Sequence, residues 1–418
     1  LDTVILSYRP VQFLGTIIYR HCLTLTELAS CLKVGGQPSV AEERLRKALA
    51  IIERLLQQEP DHESLIRQHG AVLSELASVL GDQGQYSQAN NFYEQVLKID
   101  KQLGDLLGEA TTLGQIGFLG LAQGGYSKAK TSLSASLDLF HRLGDADREA
   151  SILYYLGMVA REQKQWNEAE QCYRECLRIS EQLGIESDTA RACTRLGILA
   201  ADRGQFAEAE GWYRRALKLD EQEHPGSPWH EITLVSFAQS LVEAIQAGHV
   251  SKGRLTEARQ YAEQALTLKE SHSGSSEIWL NLDILACIAD LDNKKDIARS
   301  YRRREREAYA AFAGNRYDID RQHEKFILAI AEAARGNTQA RKAVEKFLPQ
   351  LEAAGWHITG ATYRIWTGER DWHSLVDNLD NDDALLMLRV LETLAATSII
   401  STQNKTLRVI WEKQGAIQ

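Results

Sequence analysis

The sequence predicts an all-α solenoid of stacked helix–turn–helix units. Three observations carry this. Gly117, Gly157 and Gly197 stand 40 residues apart. Ala89, Ala129, Ala169 and Ala209 keep the same step, and so do Leu97, Leu137, Leu177 and Leu217. An aromatic ring returns at Tyr86, Tyr126, Trp166 and Phe206. A fixed period of roughly 20–50 residues marks a repeat array and outranks any local signal.

One unit, Ala150 to Gly184, justifies the elements in order. Leu153, Leu156, Gly157 and Ala160 recur at three- and four-residue steps, which makes one apolar stripe on a helix. Arg161 to Gln165 is polar and reads as a turn. Trp166 opens a second helix whose stripe is Ala169, Tyr173, Cys176 and Leu177, and Leu183-Gly184 closes it. The next unit, Ala190 to Asp220, repeats the pattern with Leu196, Gly197, Ala200, Phe206, Ala209, Tyr213, Ala216 and Leu217. A glycine in mid-helix costs about 1 kcal/mol against alanine. Its threefold return predicts close backbone approach by a neighbouring helix. Each unit carries two apolar faces and cannot bury both alone. Stacking covers one unit's second helix with the next unit's first.

A small residue in the first helix, a small residue opening the second, an aromatic four later and a small residue near the end resemble the tetratricopeptide repeat. The residues are Leu156-Gly157, Ala169, Tyr173 and Cys176, then Leu196-Gly197, Ala209, Tyr213 and Ala216. The 40-residue period, with Leu103-Gly104-Asp105, Leu143-Gly144-Asp145 and Leu183-Gly184-Ile185 joining units, resembles a longer sub-type of that family. This sub-type is similar to the sensor regions of bacterial STAND and MalT-type signalling proteins and to LGN and kinesin-light-chain adaptors. The resemblance covers about residues 40–310 and implies a right-handed superhelix. It implies little about the ligand, because the fold hosts many.

Along the chain, residues 1–35 read as an N-terminal helical cap with the first helix of the first repeat. Leu28-Ala29 and Ala41 match Leu76-Ala77 and Ala89 at a step of 48. Residues 36–312 read as the array, about seven units in all. A Pro-rich break at Glu223 to His230 and an enlarged turn at Gln246 to Arg254 interrupt it. Residues 313–355 read as a degenerate helix pair and 356–418 as a C-terminal helical cap, with helices at Leu375 to Ala396 and Leu407 to Trp411. Apolar residues at Val4 to Ile18 read as a cap or the end of a preceding domain. The opening Leu1-Asp-Thr-Val, without Met or a basic stretch, reads as a fragment or processed chain.

The 418 residues are 44% hydrophobic, with a net charge of −9. That balance argues against a nucleic-acid partner. No run of about 18 apolar residues suggests a membrane span. The 6 cysteines form no Cys-x-x-Cys. Cys172, Cys176 and Cys193 read either as a metal or redox cluster or as small buried hydrophobes, and the second reading carries more weight because Ala216 takes the place of Cys176 in the next unit. A reducing cytoplasm fits.

No phosphate loop, dinucleotide fingerprint, His-Glu-x-x-His or Gly-x-Ser-x-Gly is present. No catalytic residue, metal or cofactor is therefore nominated. His224 and His230 read as exposed loop histidines rather than metal ligands. The basic run Arg299 to Arg306 reads as a solvated face rather than an anion site.

By the resemblance, first helices line the concave face. The side opposite their packing stripe then presents candidate partner-binding residues: Phe118, Leu121, Tyr154, Met158, Arg161, Arg191, Arg195 and Ile198. Arginines beside aromatic and apolar side chains suit pairing with carboxylates while packing on rings. The expected function is a non-catalytic scaffold that binds a protein or peptide, as the sensor or regulatory region of a larger bacterial signalling or defence protein. The alternatives are a free-standing adaptor bridging two proteins, or an enzyme or enzyme regulator with its site in 315–418.

Overall fold

The computed structural model describes residues 20, 22–33, 37–223, 225–271 and 278–396, with the side chains of residues 313, 314 and 317 excepted. The cap expected at Val4 to Ile18, His224 and the helix expected at Leu407 to Trp411 lie outside the described residues. Every described element is a helix: α1 (22–33), α2 (Pro38–Gln58), α3 (Glu63–Asp82), α4 (Tyr86–Leu103), α5 (Leu106–Ala122), α6 (Tyr126–Leu143), α7 (Ala146–Glu162), α8 (Trp166–Leu183), α9 (Glu186–Asp202), α10 (Phe206–Glu223) and α11 (Pro228–Gln246). Then come a short 3-10 turn (Lys252–Arg254), α12 (Leu255–Ser271), α13 (Trp279–Leu291), α14 (Lys295–Ala311), α15 (Ala313–Ala334), α16 (Thr338–Ala353), α17 (Thr359–Trp366), α18 (Trp372–Leu375) and α19 (381–396). The chain divides into two compact units within α11, residues 1–233 and 234–418.

In the first unit, helices pack on their chain neighbours from α2 to α10, as stacked hairpins. The joints are local chemistry repeated at a fixed step. Gly104, Gly144 and Gly184 end the second helices in the left-handed region, at φ 66, 69 and 69. Asp105 and Asp145 then cap the next helices, accepting from the N–H of Gly108 at 2.9 Å and of Arg148 at 3.2 Å. The turns inside each hairpin place Gly84, Gly124 and Gly204 at φ 71–74, and Lys164 occupies the same position at φ 58.

Gly157 and Gly197 are required by close approach, as expected, but a ring makes the approach rather than a backbone. A Cβ on Gly157 would run into the ring of Tyr173, and one on Gly197 would meet Tyr213 Cε1 at 2.8 Å. The tyrosine ring of the second helix fits against its own partner helix in the space that the missing side chain leaves. At Gly117 the neighbour is Leu133.

The second unit continues with hairpin α13–α14, while α14 to α19 close on themselves. Ile330, Val344, Ile358, Ile365, Leu385 and Val390 share one core. Trp366 donates its indole N–H to the Ile330 carbonyl at 3.2 Å, and Trp372 to the Ala384 carbonyl at 2.8 Å. Arg389 pairs with Asp320 at 2.8 Å, and Arg316 with Glu392 at 2.7 Å. Trp356, Trp366 and Trp372 therefore pack against this core, while Tyr363 is exposed. No described helix is long and apolar enough to cross a membrane.

Candidate functional site

The candidate residues lie on α5, α7 and α9, the first helices of three consecutive hairpins. Tyr154 is not presented outward: it is only 5% exposed. Its ring meets Tyr155, Tyr173 and Trp229 edge-on, at 5.4, 6.4 and 6.4 Å. Its hydroxyl accepts from Arg195 Nε at 2.7 Å. The Arg195 guanidinium sits 5.0 Å from the Tyr154 ring centre. Arg191 lies 5.6 Å from the same ring and 5.0 Å from Trp229, while its Nη2 donates to Asp188 at 2.5 Å. Tyr154, Arg191 and Arg195 thus form one cluster, completed by Trp229, which the sequence places only in a pattern-breaking loop.

Phe118 stands apart from that cluster at 43% exposure, edge-on to Tyr155 at 5.5 Å. Arg161 is spoken for: it donates to Asp202 through Nε at 2.5 Å and Nη2 at 3.3 Å, and to Glu162 at 3.2 Å. Burial pulls its pKa down, but the Asp202 carboxylate outweighs that and the shift is upward. Leu121, Met158 and Ile198 are half-buried; Leu121 and Met158 pack on the hairpin cores.

Between neighbouring first helices lie two adjoining hollows. The larger, about 450 Å³, sits between α3 and α5 over the end of α4. Arg67 and Arg148 stand at it, Gly70, Ser74 and Thr111 line it, and Asp100 is part of its wall. The smaller, about 270 Å³, sits between α5 and α7 and is lined by Gly114, Phe118, Phe140, Ile152 and Tyr155. Thr111 and Arg148 border both. Gly114 allows the second hollow, because a Cβ there would stand 3.0 Å from Ile152 Cδ1.

Asp100 escapes the sequence reading, since it lies on a second helix. A signal for it exists: residues 100, 140, 180 and 220 share one register, and read Asp, Phe, Ser, Asp. Asp100 is only 9% exposed, and Thr112 Oγ1 donates to its Oδ2 at 2.8 Å. Burial pushes its pKa up against that hydrogen bond, and Asp105 and Glu109 add to the rise.

The remaining chemical candidates resolve into structure. His230 is buried rather than an exposed loop residue; it follows the Pro-rich loop at the start of α11, and its Nδ1 accepts from the Gly226 N–H at 3.1 Å. Cys176 and Cys193 are buried, and burial pushes both thiols up to about 12. Half-buried Cys172 is pushed up to about 11. Among the described residues no group of three or more His, Cys, Asp or Glu could hold a metal ion. The basic run is paired within the chain: Arg299 with Asp296, Arg302 with Asp290, Arg303 with Glu307, Arg304 with Glu270 and Arg306 with Asp377.

Comparison with known proteins agrees with this geometry. Tetratricopeptide repeat family models match residues 70–103 and 148–222. No curated protein matches. A Signal Transduction ATPase with Numerous Domains (STAND) protein with a tetratricopeptide repeat sensor, from Pyrococcus horikoshii, superposes with TM-score 0.52 and 14% identity. The match covers 71% of this chain and 45% of that one, so the chain spans less than half of that protein's length. A tetratricopeptide repeat protein from Parabacteroides merdae gives TM-score 0.48 and 18% identity, over 70% and 94% of the two chains. BtubC (BKLC) from P. vanneervenii gives 0.46 and 19%, over 56% and 91%. Hairpin geometry, repeat register and family models together identify residues 70–103 and 148–222 of this chain as tetratricopeptide repeats.

Proposed function

We propose that the first-helix face of the first unit is a recognition surface for an extended protein or peptide segment. On this reading the chain is a non-catalytic sensor or regulatory module of a signalling protein. The observation that carries it is the pair of adjoining hollows, about 450 and 270 Å³, that share Thr111 and Arg148. Successive side chains of an extended segment enter such hollows, and the uniform hairpin scaffold holds them at a fixed spacing. The Pyrococcus horikoshii protein, similar in fold, carries its tetratricopeptide repeats as a sensor, which supports the regulatory role. The cluster of Tyr154, Arg191, Arg195 and Trp229 extends the face with residue types favoured at binding hot spots. Phe118, Leu121, Met158 and Ile198 add apolar contact. Arg161 acts in this reading as a brace between repeats, through Asp202.

The partner is protein rather than nucleic acid, in keeping with the net charge of −9 and the internally paired basic run. Six unpaired cysteines favour a reducing, cytoplasmic setting.

Thr111→Trp tests the reading. Thr111 is exposed and borders both hollows, so an indole there obstructs the border they share. Peptides selected from a display library on the full chain are expected to lose at least about tenfold in affinity for the Thr111→Trp variant. Unchanged binding to a variant that melts normally would move recognition off this face.

A further inference from the structure

The larger hollow carries a feature that its neighbour lacks. Asp100 Oδ2 is satisfied by Thr112, but Oδ1 receives no hydrogen bond from any described residue. It points past Gly108, where a Cβ would stand 2.8 Å from it, toward the hollow. Most of the Asp100 side chain is buried, but Oδ1 is not sealed in the core, so a cation entering the hollow can reach it. The nearby cations are engaged elsewhere. Arg67 pairs with Glu63 at 2.8 Å and with Asp105 at 3.6 Å; Arg148 pairs with Asp145; Lys101 pairs with Glu109 at 3.5 Å.

The geometry points to Asp100 as the anchor for a basic side chain, Lys or Arg, of the bound segment. This rests on the groove reading above. Ile99, Leu103 and Leu107 supply an apolar wall for the methylene stem, while Gly70 and Gly108 leave room beside it. The ammonium or guanidinium then donates to Oδ1, a charge-assisted bond in a sheltered place. The raised pKa of Asp100 accords with a carboxylate that lacks its counter-ion. The register adds an internal control. One step along, the corresponding position is Phe140, which lines the smaller hollow with Phe118 and Tyr155. That hollow takes an apolar side chain. Adjacent hollows of one groove thus differ in the charge they accept, through a single position of the repeat.

The test is a positional-scanning library of decapeptides, with blocked and with free amino termini, selected on the immobilised full chain. The same selection is run on Asp100→Asn, Asp100→Ser and Thr111→Trp. Serine already stands at position 180 of this register, and all variants are first checked by thermal melting. The expected result is enrichment of Lys or Arg at one position with blocked termini. Asp100→Asn and Asp100→Ser then weaken the selected peptides about tenfold or more and abolish the basic preference. Two outcomes overturn the Asp100 assignment and leave the groove standing. One is a set of peptides that Thr111→Trp blocks but that show no basic preference. The other is a basic preference that Asp100→Asn and Asp100→Ser leave unchanged. Basic preference seen only with free amino termini overturns the side-chain assignment in favour of a terminal ammonium. Peptides indifferent to Thr111→Trp, or no selection at all, overturn both.

Discussion

Residues 126–223 and residues 313–396 are both helical, but they are held together in different ways. In the first stretch helices α6 to α10 pack on their chain neighbours, and the joints after α6 and α8 close on the left-handed glycines Gly144 and Gly184, with Asp145 capping α7. In the second, Asp320 is bonded to Arg389 and Arg316 to Glu392, partners 69 and 76 positions apart. The first stretch is a sum of similar hairpins, and each depends mainly on its neighbours. The second is a small closed core, which orders only when distant segments meet. The difference teaches where damage stays local and where it spreads.

The largest expected effect breaks a hairpin. Gly157→Leu drives a side chain into the Tyr173 ring. It is expected to cost about 3 kcal/mol or more, as overpacking does at its upper end. Hydrogen exchange should then show lost protection in α7, α8 and their neighbours, with 313–396 unchanged. If protection falls equally across the chain, the one-dimensional account fails.

The converse substitution is Ile365→Ala, at a fully buried side chain in the closed core. It is expected to cost about 2–4 kcal/mol. Here the loss of protection should extend across 313–396 as one unit. Loss confined to α17 would make this region another loose array.

Alkaline pH sharpens the contrast, because 313–396 contains no cysteine. Burial pushes the Cys176 and Cys193 thiols up to about 12. In the unfolded chain such thiols ionise at about 8.5. A folded pKa above the unfolded one gives stability that is whole below about 8.5 and declines as pH rises toward the folded value. Urea titrations at pH 7 and pH 10 should show a loss of about 2 kcal/mol per thiol in the repeats. Cys176→Ala, the residue of the next unit, should remove part of it. An equal alkaline loss in Cys176→Ala would assign the effect to other groups.

The smallest effect is a gain. Lys164 holds φ 58 where three sister turns have glycine. Lys164→Gly is expected to stabilise the repeat by about 0.5–1 kcal/mol, relief of left-handed strain exceeding glycine's added chain entropy. A thermal melt decides it, and a lowered melting temperature would show that Lys164 makes contacts worth more than its strain.

Much of this architecture is legible without coordinates. Gly157, Ala169, Tyr173 and their sisters at a step of 40 announce the hairpins, because a repeated scaffold must bury the same face each time. The glycines after Leu103, Leu143 and Leu183 announce where helices stop. The candidate surface is legible in part. Helical spacing nominates Tyr154, Arg191 and Arg195, and they meet in one cluster. Spacing along one helix does not reveal what arrives from another. Arg161 finds Asp202 a whole repeat later, and Tyr154 disappears beneath Arg195 and Trp229. Helical spacing passes over Asp100, because a second helix is assumed to face away from the groove.

In the repeats, sequence by itself determined the helices, their ends and the order in which they follow, since each follows from apolar periodicity and backbone chemistry within a few residues. Past Gly355 it did not, because the helix expected over Leu375 to Ala396 is broken at 376–380. Tertiary structure alone decided which polar atoms are satisfied. Asp100 keeps one oxygen open because Thr112 reaches only the other, and because Arg67, Arg148 and Lys101 are each drawn to a different carboxylate. Such pairing depends on distances of a few ångströms between side chains on separate helices, which periodicity does not encode.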